Sequence, residues 1–333
     1  MRADDLLRPM PDGLYCPPGD FYIDPVRPVE RALITHGHAD HARAGHGAVW
    51  ATRQTLDIMA IRYGEDHAGR VQDDPSGVIN GVKISFHPAG HVLGSAQIAV
   101  EKDGLRIVAA GDYKRGTDPT CAPFEPVPCD VFITEATFGL PVFRHPDPMA
   151  EIRRLLASQA ANPDRTHLVG VYALGKAQRV IGLLRAAGYE RPIFIHGALR
   201  RLSDYYHEQG IELRPLEDAT VARGKADRFA GELVLGPPSA FGATWARRFA
   251  NPVIAFASGW MQVRARARQR GTELPLIISD HCDWDELTAT IEELDPEEVW
   301  VTHGREEALV RWCAINQRRA RPLHLVGYED EAE

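Results

Sequence analysis

The segment Ile34-Thr-His36-Gly-His38-Ala-Asp40-His41 limits what this chain can fold into more than any other feature. Three histidines and an aspartate fall within six consecutive residues, directly after a short run, Ala32 to Thr35, that reads as a strand. In extended chain His36 and His38 point to one side, while Asp40 and His41 sit where the chain turns and can face a neighbouring point in space. Four ligand-type side chains so spaced suit two metal ions close together better than one. The alternative, a set of satisfied surface histidines, rarely produces this pattern. The fold must therefore bring further ligands to this strand end.

Candidates stand at the ends of other predicted strands. His91 lies in Ala89-Gly-His-Val-Leu-Gly-Ser95, where small residues allow close backbone approach. Asp112 follows the apolar run Ile107-Val-Ala-Ala-Gly111 and could bridge two ions with its two carboxylate oxygens. His303 follows Val299-Trp-Val-Thr302. Alone, each would be an ordinary loop residue.

The first part of the chain reads as short strands of a layered sheet: Phe21 to Asp24, Ala32 to Thr35, Ala48 to Thr52, Val82 to His87, Gln97 to Val100, Arg106 to Gly111 and Val131 to Glu135. From about Pro148 helix and strand alternate. Met149 to Ala161, Lys176 to Ala187 and Leu199 to Gln209 read as helices, with His167 to Tyr172 and Pro192 to Ile195 extended between them. Further strands at Glu232 to Leu235, Val253 to Ala257 and Leu276 to Ser279 complete a predicted parallel α/β unit. A helix from about Trp284, a strand near Val299 to Thr302 and a helix from about Arg305 follow.

Charge divides the chain more sharply. Residues 151–272 hold 19 Lys plus Arg and 10 Asp plus Glu, a balance of +9; from totals of 38 and 46, the remainder holds 19 and 36, a balance of −17. The basic middle is either a solvated surface or a face that neutralises phosphates. The five cysteines are scattered and form no C-x-x-C pair, which suggests reduced thiols. The opening MRADDLLRPM has no apolar h-region, and no run of about 18 apolar residues follows, so a cytoplasmic location away from membranes is expected.

Taken together, Asp24, His36-x-His38-x-Asp40-His41, His91, Asp112 and His303 resemble the metallo-β-lactamase superfamily. The resemblance implies an α/β fold, the αβ/βα sandwich, with a dimetal site at the sheet edges. It implies one ion held by His36, His38 and His91, another by Asp40, His41 and His303, and Asp112 between them. Asp24 would orient a ligand histidine. Imidazole-rich ligation favours zinc as the two divalent ions, and the carboxylates leave manganese or iron as alternatives.

Small-molecule members of that superfamily usually place the last ligand soon after the bridging aspartate, whereas Asp112 and His303 stand 191 residues apart here. The interval has room for an inserted domain, and it contains the basic segment. Thr134-Glu135-Ala-Thr-Phe-Gly139, Ser279-Asp-His281-Cys-Asp283 and Val301-Thr-His303-Gly304 resemble three motifs of the β-CASP nucleases, a branch with such a cap. The implied division is a dimetal domain of residues 1–150 and 273–333, with a β-CASP nucleic-acid-binding cap at 151–272. Ala173-Leu-Gly-Lys176-Ala-Gln-Arg179 and Phe256-Ala-Ser258-Gly259-Trp-Met261 also look like β-CASP segments. Lys176, Arg179, Ser258 and Gly259 would meet backbone phosphate there, or else serve only as turn and first-turn residues. Arg264, Arg266, Arg268 and Arg270 are either a further phosphate surface or an exposed helix or loop.

The Gly13-to-Asp24 segment, with GKAQR, ASGWM and SDHCDW, resembles bacterial ligase-associated DNA exonucleases, which are similar to DNA cross-link repair nucleases. That resemblance implies a phosphodiester hydrolase in DNA repair, digesting 5′→3′ from a single-stranded or duplex end by a two-metal mechanism. It also implies functional association with an ATP-dependent DNA ligase and a helicase. Asp40 would be essential, His281 would act on the phosphate or the leaving group, and Glu135 would hold His281 in place. Histidine at position 303 is typical of RNA-processing β-CASP members, so an RNA-processing ribonuclease is the competing reading.

Overall fold

The computed structural model describes residues 1–73, 76–219, 226–242 and 244–325. Parts of the two spans drawn above, namely 74–75, 220–225, 243 and 326–333, lie outside the described residues. The chain divides into a first unit, Met1–Arg144 with His281–Glu333, and a second, His145–Asp280. The sequence-based boundaries stand at 150/151 and 272/273. The helix Pro148–Ala161 and the strand Leu274–Leu276 fall within the second unit instead, because Leu274–Leu276 pairs with Ala255–Ala257 in its sheet.

The first unit is a sandwich of two sheets with helices outside. One sheet holds six strands in chain order, Arg8–Met10, Gly13–Cys16, Phe21–Ile23, Arg31–Leu33, Ala48–Trp50 and Val71–Gln72. The other holds seven, in the order Arg319–Pro322, Glu298–Gly304, Val131–Ala136, Leu105–Ala109, Ala96–Lys102, Val82–Pro88 and Ser76–Ile79. Successive residues of a strand face opposite sides, and the apolar residues use both faces. Leu33, Ile107, Ala109, Val131 and Ile133 face one core with Trp50 and Trp300. Their neighbours Val108, Ala110 and Phe132 instead pack on Leu287, Ile291 and Leu309 of the helices Trp284–Leu294 and Glu306–Ile315. On the opposite outer face, Ala32, Ile34 and Val49 meet Leu56 and Met59 of the helix Arg53–Tyr63. Near-continuous apolar strands buried on two faces thus produce the expected αβ/βα layering.

The second unit has one sheet of six parallel strands, ordered Leu216–Asp218, Ile193–Ile195, Leu233–Gly236, His167–Gly170, Val253–Ala257 and Leu274–Leu276. The expected strand Leu276 to Ser279 is displaced towards the N-terminus. Leu276 O accepts from Ser258 N and from Ile278 N at 3.1 and 3.0 Å, which ends the ladder, and Glu151 then takes the Ile277 N–H at 2.8 Å. Pro275 is tolerated because this is an edge strand. Among the described residues no helix is long and apolar enough to cross a membrane.

Candidate metal centre

Strand ends of the first unit deliver every ligand-type side chain singled out above for a metal. The strand Arg31–Leu33 leads into Thr35 and His36. The His38 carbonyl then accepts from the N–H groups of His41 and Ala42, at 3.2 and 2.7 Å, and this turn brings His41 back beside His36, with ring centroids 4.1 Å apart. His91 follows Val82–Pro88, and Asp112 follows Leu105–Ala109. Gly111 takes φ +59°, and a Cβ there would lie 2.8 Å from the Thr35 side chain, so only glycine lets these two loops approach.

His303 is placed by a bulge. Glu135 pairs with Thr302 and Ala136 with Gly304, so His303 is the extra residue in the ladder, at φ +56°. Such an insertion re-aims one side chain at a sheet edge.

His36, His38, His91 and Asp112 each offer one ligand atom within 4.8 Å of the others, and His41, Asp112 and His303 form a second such group. Asp112 is common to both. Its Oδ2 lies 3.4 Å from His36 Nε2, 3.3 Å from His41 Nε2 and 3.8 Å from His91 Nε2, and its Oδ1 lies 3.9 Å from His303 Nδ1. Asp40 stands beside the second group, with Oδ2 3.6 Å from His41 Nε2.

The hydrogen bonds behind these rings fix which nitrogen each presents. Asp24 accepts from Thr35 N at 2.8 Å, from Thr35 Oγ1 at 2.5 Å and from His41 Nδ1 at 2.8 Å. A carboxylate only accepts, so His41 carries its proton on Nδ1. Thr35 has spent its single hydroxyl proton on Asp24, and therefore accepts from His36 Nδ1 at 3.0 Å. His36 thus turns an unprotonated Nε2 towards Asp112, and His41 turns its Nε2 to the same carboxylate. Among the described residues His36 Nε2 is buried and without a hydrogen-bond partner, a costly state unless a cation takes its lone pair. Nitrogen and oxygen donors with this buried lone pair fit divalent ions. Thr35 was not singled out from the sequence, because its role appears only when the loop carrying Asp24 lies beside it.

Electrostatics follow the same layout. Burial, reinforced by positive charge on His41, holds His36 well below the usual histidine range. Burial also lowers His303, to about 4, again with His41 contributing. For His41 burial acts the other way, but the Asp112 and Asp40 carboxylates outweigh it and hold the ring well above its ordinary value. Burial would raise Asp112, yet His41 and His281 hold it well below the carboxylate range.

His281 and Glu135 form a separate buried pair next to these ligands. His281 Nδ1 lies 3.0 and 3.2 Å from the two Glu135 oxygens, and its ring centroid is 4.6 Å from that of His91. Tyr113 N donates to Glu135 Oε1 at 2.8 Å. Burial raises Glu135 above its ordinary value, against the opposing pull of His281.

The four residues expected to meet phosphate lie in the second unit and are all buried. Lys176, at 2% exposure, starts the helix Lys176–Ala186, and its ammonium is paired with Asp280 and donates to Ile278 O at 3.2 Å. Its charge is therefore paired inside the unit. Arg179, at 1% exposure, is interior as well. Ser258 Oγ accepts from Trp260 N at 3.3 Å, and the buried Gly259 opens the short turn Gly259–Gln262.

No family model matches the chain. A probable DNA ligase from Opitutus terrae is 26% identical to it over 322 residues, which cover 90% of this chain and 30% of that protein. Endoribonuclease YSH1 from Eremothecium gossypii is 30% identical over 198 residues, covering 47% of this chain and 26% of that protein. An RNase J-like protein from Methanocaldococcus jannaschii is 26% identical over 209 residues, covering 54% and 50%. The chain thus spans half or less of the length of these curated relatives. A crystal structure of a protein of unknown function from Enterococcus faecalis shares the fold, with TM-score 0.54 at 12% identity over 87% of this chain and 78% of that one.

Proposed function

We propose that the chain is a metal-dependent DNA exonuclease of the β-CASP branch of the metallo-β-lactamase superfamily. The observation that carries this is Asp112 shared between two groups of buried ligand atoms. His36, His38 and His91 would hold one divalent ion, Asp40, His41 and His303 the other, and Asp112 both, with zinc the first expectation. Bound ions would supply an activated water and offset charge on the phosphoryl oxygens.

The protein's own groups do the rest. Thr35 and Asp24 keep the His36 and His41 lone pairs turned inward. His281 in its imidazolium form carries a proton on Nε2 for the departing sugar oxygen, and the Glu135 carboxylate at Nδ1 stabilises that form. Burial keeps water away from this pair.

A DNA substrate is supported by the ligase-named relative, whose similarity runs along 90% of this chain. The same similarity supports a role beside an ATP-dependent ligase in DNA repair, and 5′→3′ digestion is the polarity we propose. His303 and the relatives named as ribonucleases favour the second reading, an RNA-processing enzyme. The deciding experiment gives metal-reconstituted protein and its Asp40→Ala variant DNA and RNA of one sequence, labelled at either end. Stepwise shortening of DNA from its 5′ end, absent in the variant, is expected. Internal cuts in RNA with DNA intact would overturn the proposal, and wild-type turnover by Asp40→Ala would remove the site.

A further inference from the structure

The arginines of the helix Arg264–Gln269 and its cap fall into two stripes. Residues four apart share a helix face, so Arg266 lies with Arg270, and Arg264 with Arg268 on another side. The two stripes have different surroundings. The Arg266 guanidinium lies 4.0 Å from the centroid of the Trp260 ring, and that of Arg270 lies 4.8 Å from the centroid of Phe256. Each cation is held over an aromatic face, so less freedom is lost when it meets a ligand.

Beside this ridge is a cavity of about 330 Å³, lined by Phe241, Ile254, Phe256, Arg270 and Thr272 among others. Its size is at the lower end for small-ligand pockets, of order 300–1,000 Å³. The walls are mostly apolar. Thr272 Oγ1 is buried with no hydrogen-bond partner among the described residues, although Thr272 lines the cavity. An aromatic-walled pocket edged by cations, with one unsatisfied hydroxyl, has the chemistry to take a flat heterocycle attached to an anionic chain.

We propose that this face of the second unit binds single-stranded DNA, with one unstacked base in the cavity against Phe241 and adjacent phosphates on Arg266 and Arg270. The two arginines are about 6 Å apart along the helix axis, within reach of neighbouring phosphates on one strand. The excess of positive charge over residues 151–272 supplies the complementary field, 19 basic against 10 acidic residues. This deepens the nuclease reading by giving the substrate a holding site made only of second-unit residues. A duplex, whose bases are stacked and paired, has nothing to offer the cavity.

The test is binding by the full chain, with a chelator present so that nothing is cut, to fluorescein-labelled oligo-dT, a blunt duplex of the same length and oligo-U. Arg266→Ala/Arg270→Ala should weaken oligo-dT binding about tenfold or more and reduce its log–log salt slope by about 0.7 per lost contact. Arg264→Ala/Arg268→Ala removes the same charge and should change both less. Phe241→Ala should weaken oligo-dT binding and leave the duplex untouched. Because Phe241 packs against the second-unit core, Phe241→Leu keeps volume there while removing the flat face, and should show the same selectivity. Equal losses for the two arginine pairs, or unchanged oligo-dT binding by both Phe241 variants, would overturn the proposal, as would tighter binding of oligo-U than of oligo-dT. Selective binding by a wild-type protein that cuts no nucleic acid would sink the nuclease reading and leave this one standing.

Discussion

Thr35→Val tests the orientation of the proposed metal ligands without touching one of them. The swap keeps the side-chain shape and removes one hydroxyl that donates to Asp24 at 2.5 Å and accepts from His36 Nδ1 at 3.0 Å. Asp24 retains Thr35 N and His41 Nδ1, so His41 keeps its tautomer. His36 does not. Its Nδ1 proton loses a buried acceptor, and the ring gains by moving that proton to Nε2, where it would face Asp112 Oδ2 at 3.4 Å. Metal binding then has to reverse the tautomer. Removing such a supporting hydrogen bond typically costs 10–100-fold in metal affinity, about 1.4–2.7 kcal/mol. Competition against a chromophoric chelator, with zinc as the probe, should show one of two ions weakened by that factor. Thr35→Ser, which restores the hydroxyl, should recover most of it. Unchanged affinity in a folded Thr35→Val protein would refute the tautomer argument, and equal loss in Thr35→Ser would assign the effect to packing against Gly111.

Three further outcomes follow from other parts of the molecule. Breaking the buried Lys176–Asp280 pair with Lys176→Met should cost about 3–5 kcal/mol in urea unfolding, since it strands a charge; Lys176→Met/Asp280→Leu should cost much less than the sum of its singles, and additive losses would refute the pairing. His281→Ala should lower turnover by about 10²–10⁴-fold with bound metal unchanged in elemental analysis; parallel loss of metal would make His281 a ligand. His46, buried with Nδ1 accepting from Val29 N at 3.2 Å, is lowered by burial to about 4. Its depressed value means stability present above pH 6.5 is lost as pH falls through about 4, by up to about 3 kcal/mol. The unfolding midpoint of His46→Gln should therefore fall less between pH 7 and pH 4 than that of the wild type, and parallel falls would refute it.

The parts of the centre that were legible in the sequence are those whose geometry is local. His36, His38, Asp40 and His41 share one strand end and one turn, and His91, Asp112 and His303 each follow a run that reads as a strand. Thr35 was hidden because its significance depends on Asp24, eleven residues away across a strand pairing. The partner of Lys176 was hidden for the converse reason: a glycine followed by lysine at a helix start looks like a phosphate loop, and its countercharge, Asp280, comes 104 residues later. The helix Arg53–Tyr63 went unread because four successive apolar residues, Ile58 to Ile61, blur the period of its buried positions Thr55, Leu56, Ile58 and Met59. The edge strand Leu216–Asp218, short and part polar, carries no alternation to find.

Charge ties the two units to one task. Residues 1–144 and 281–333 hold 33 Asp plus Glu against 19 Lys plus Arg, so the first unit taken alone repels a polyanion. Asp24, Asp40 and Asp112 bring three of those charges to the centre itself. Two divalent ions would contribute four positive charges and reverse the sign only there, so phosphate is welcome at the centre only when the ligands are filled. The arginine ridge of the second unit needs no such condition. Binding and cleavage should therefore separate under chelation: oligo-dT affinity carried by Arg266 and Arg270 persists when metal is stripped, while cleavage stops.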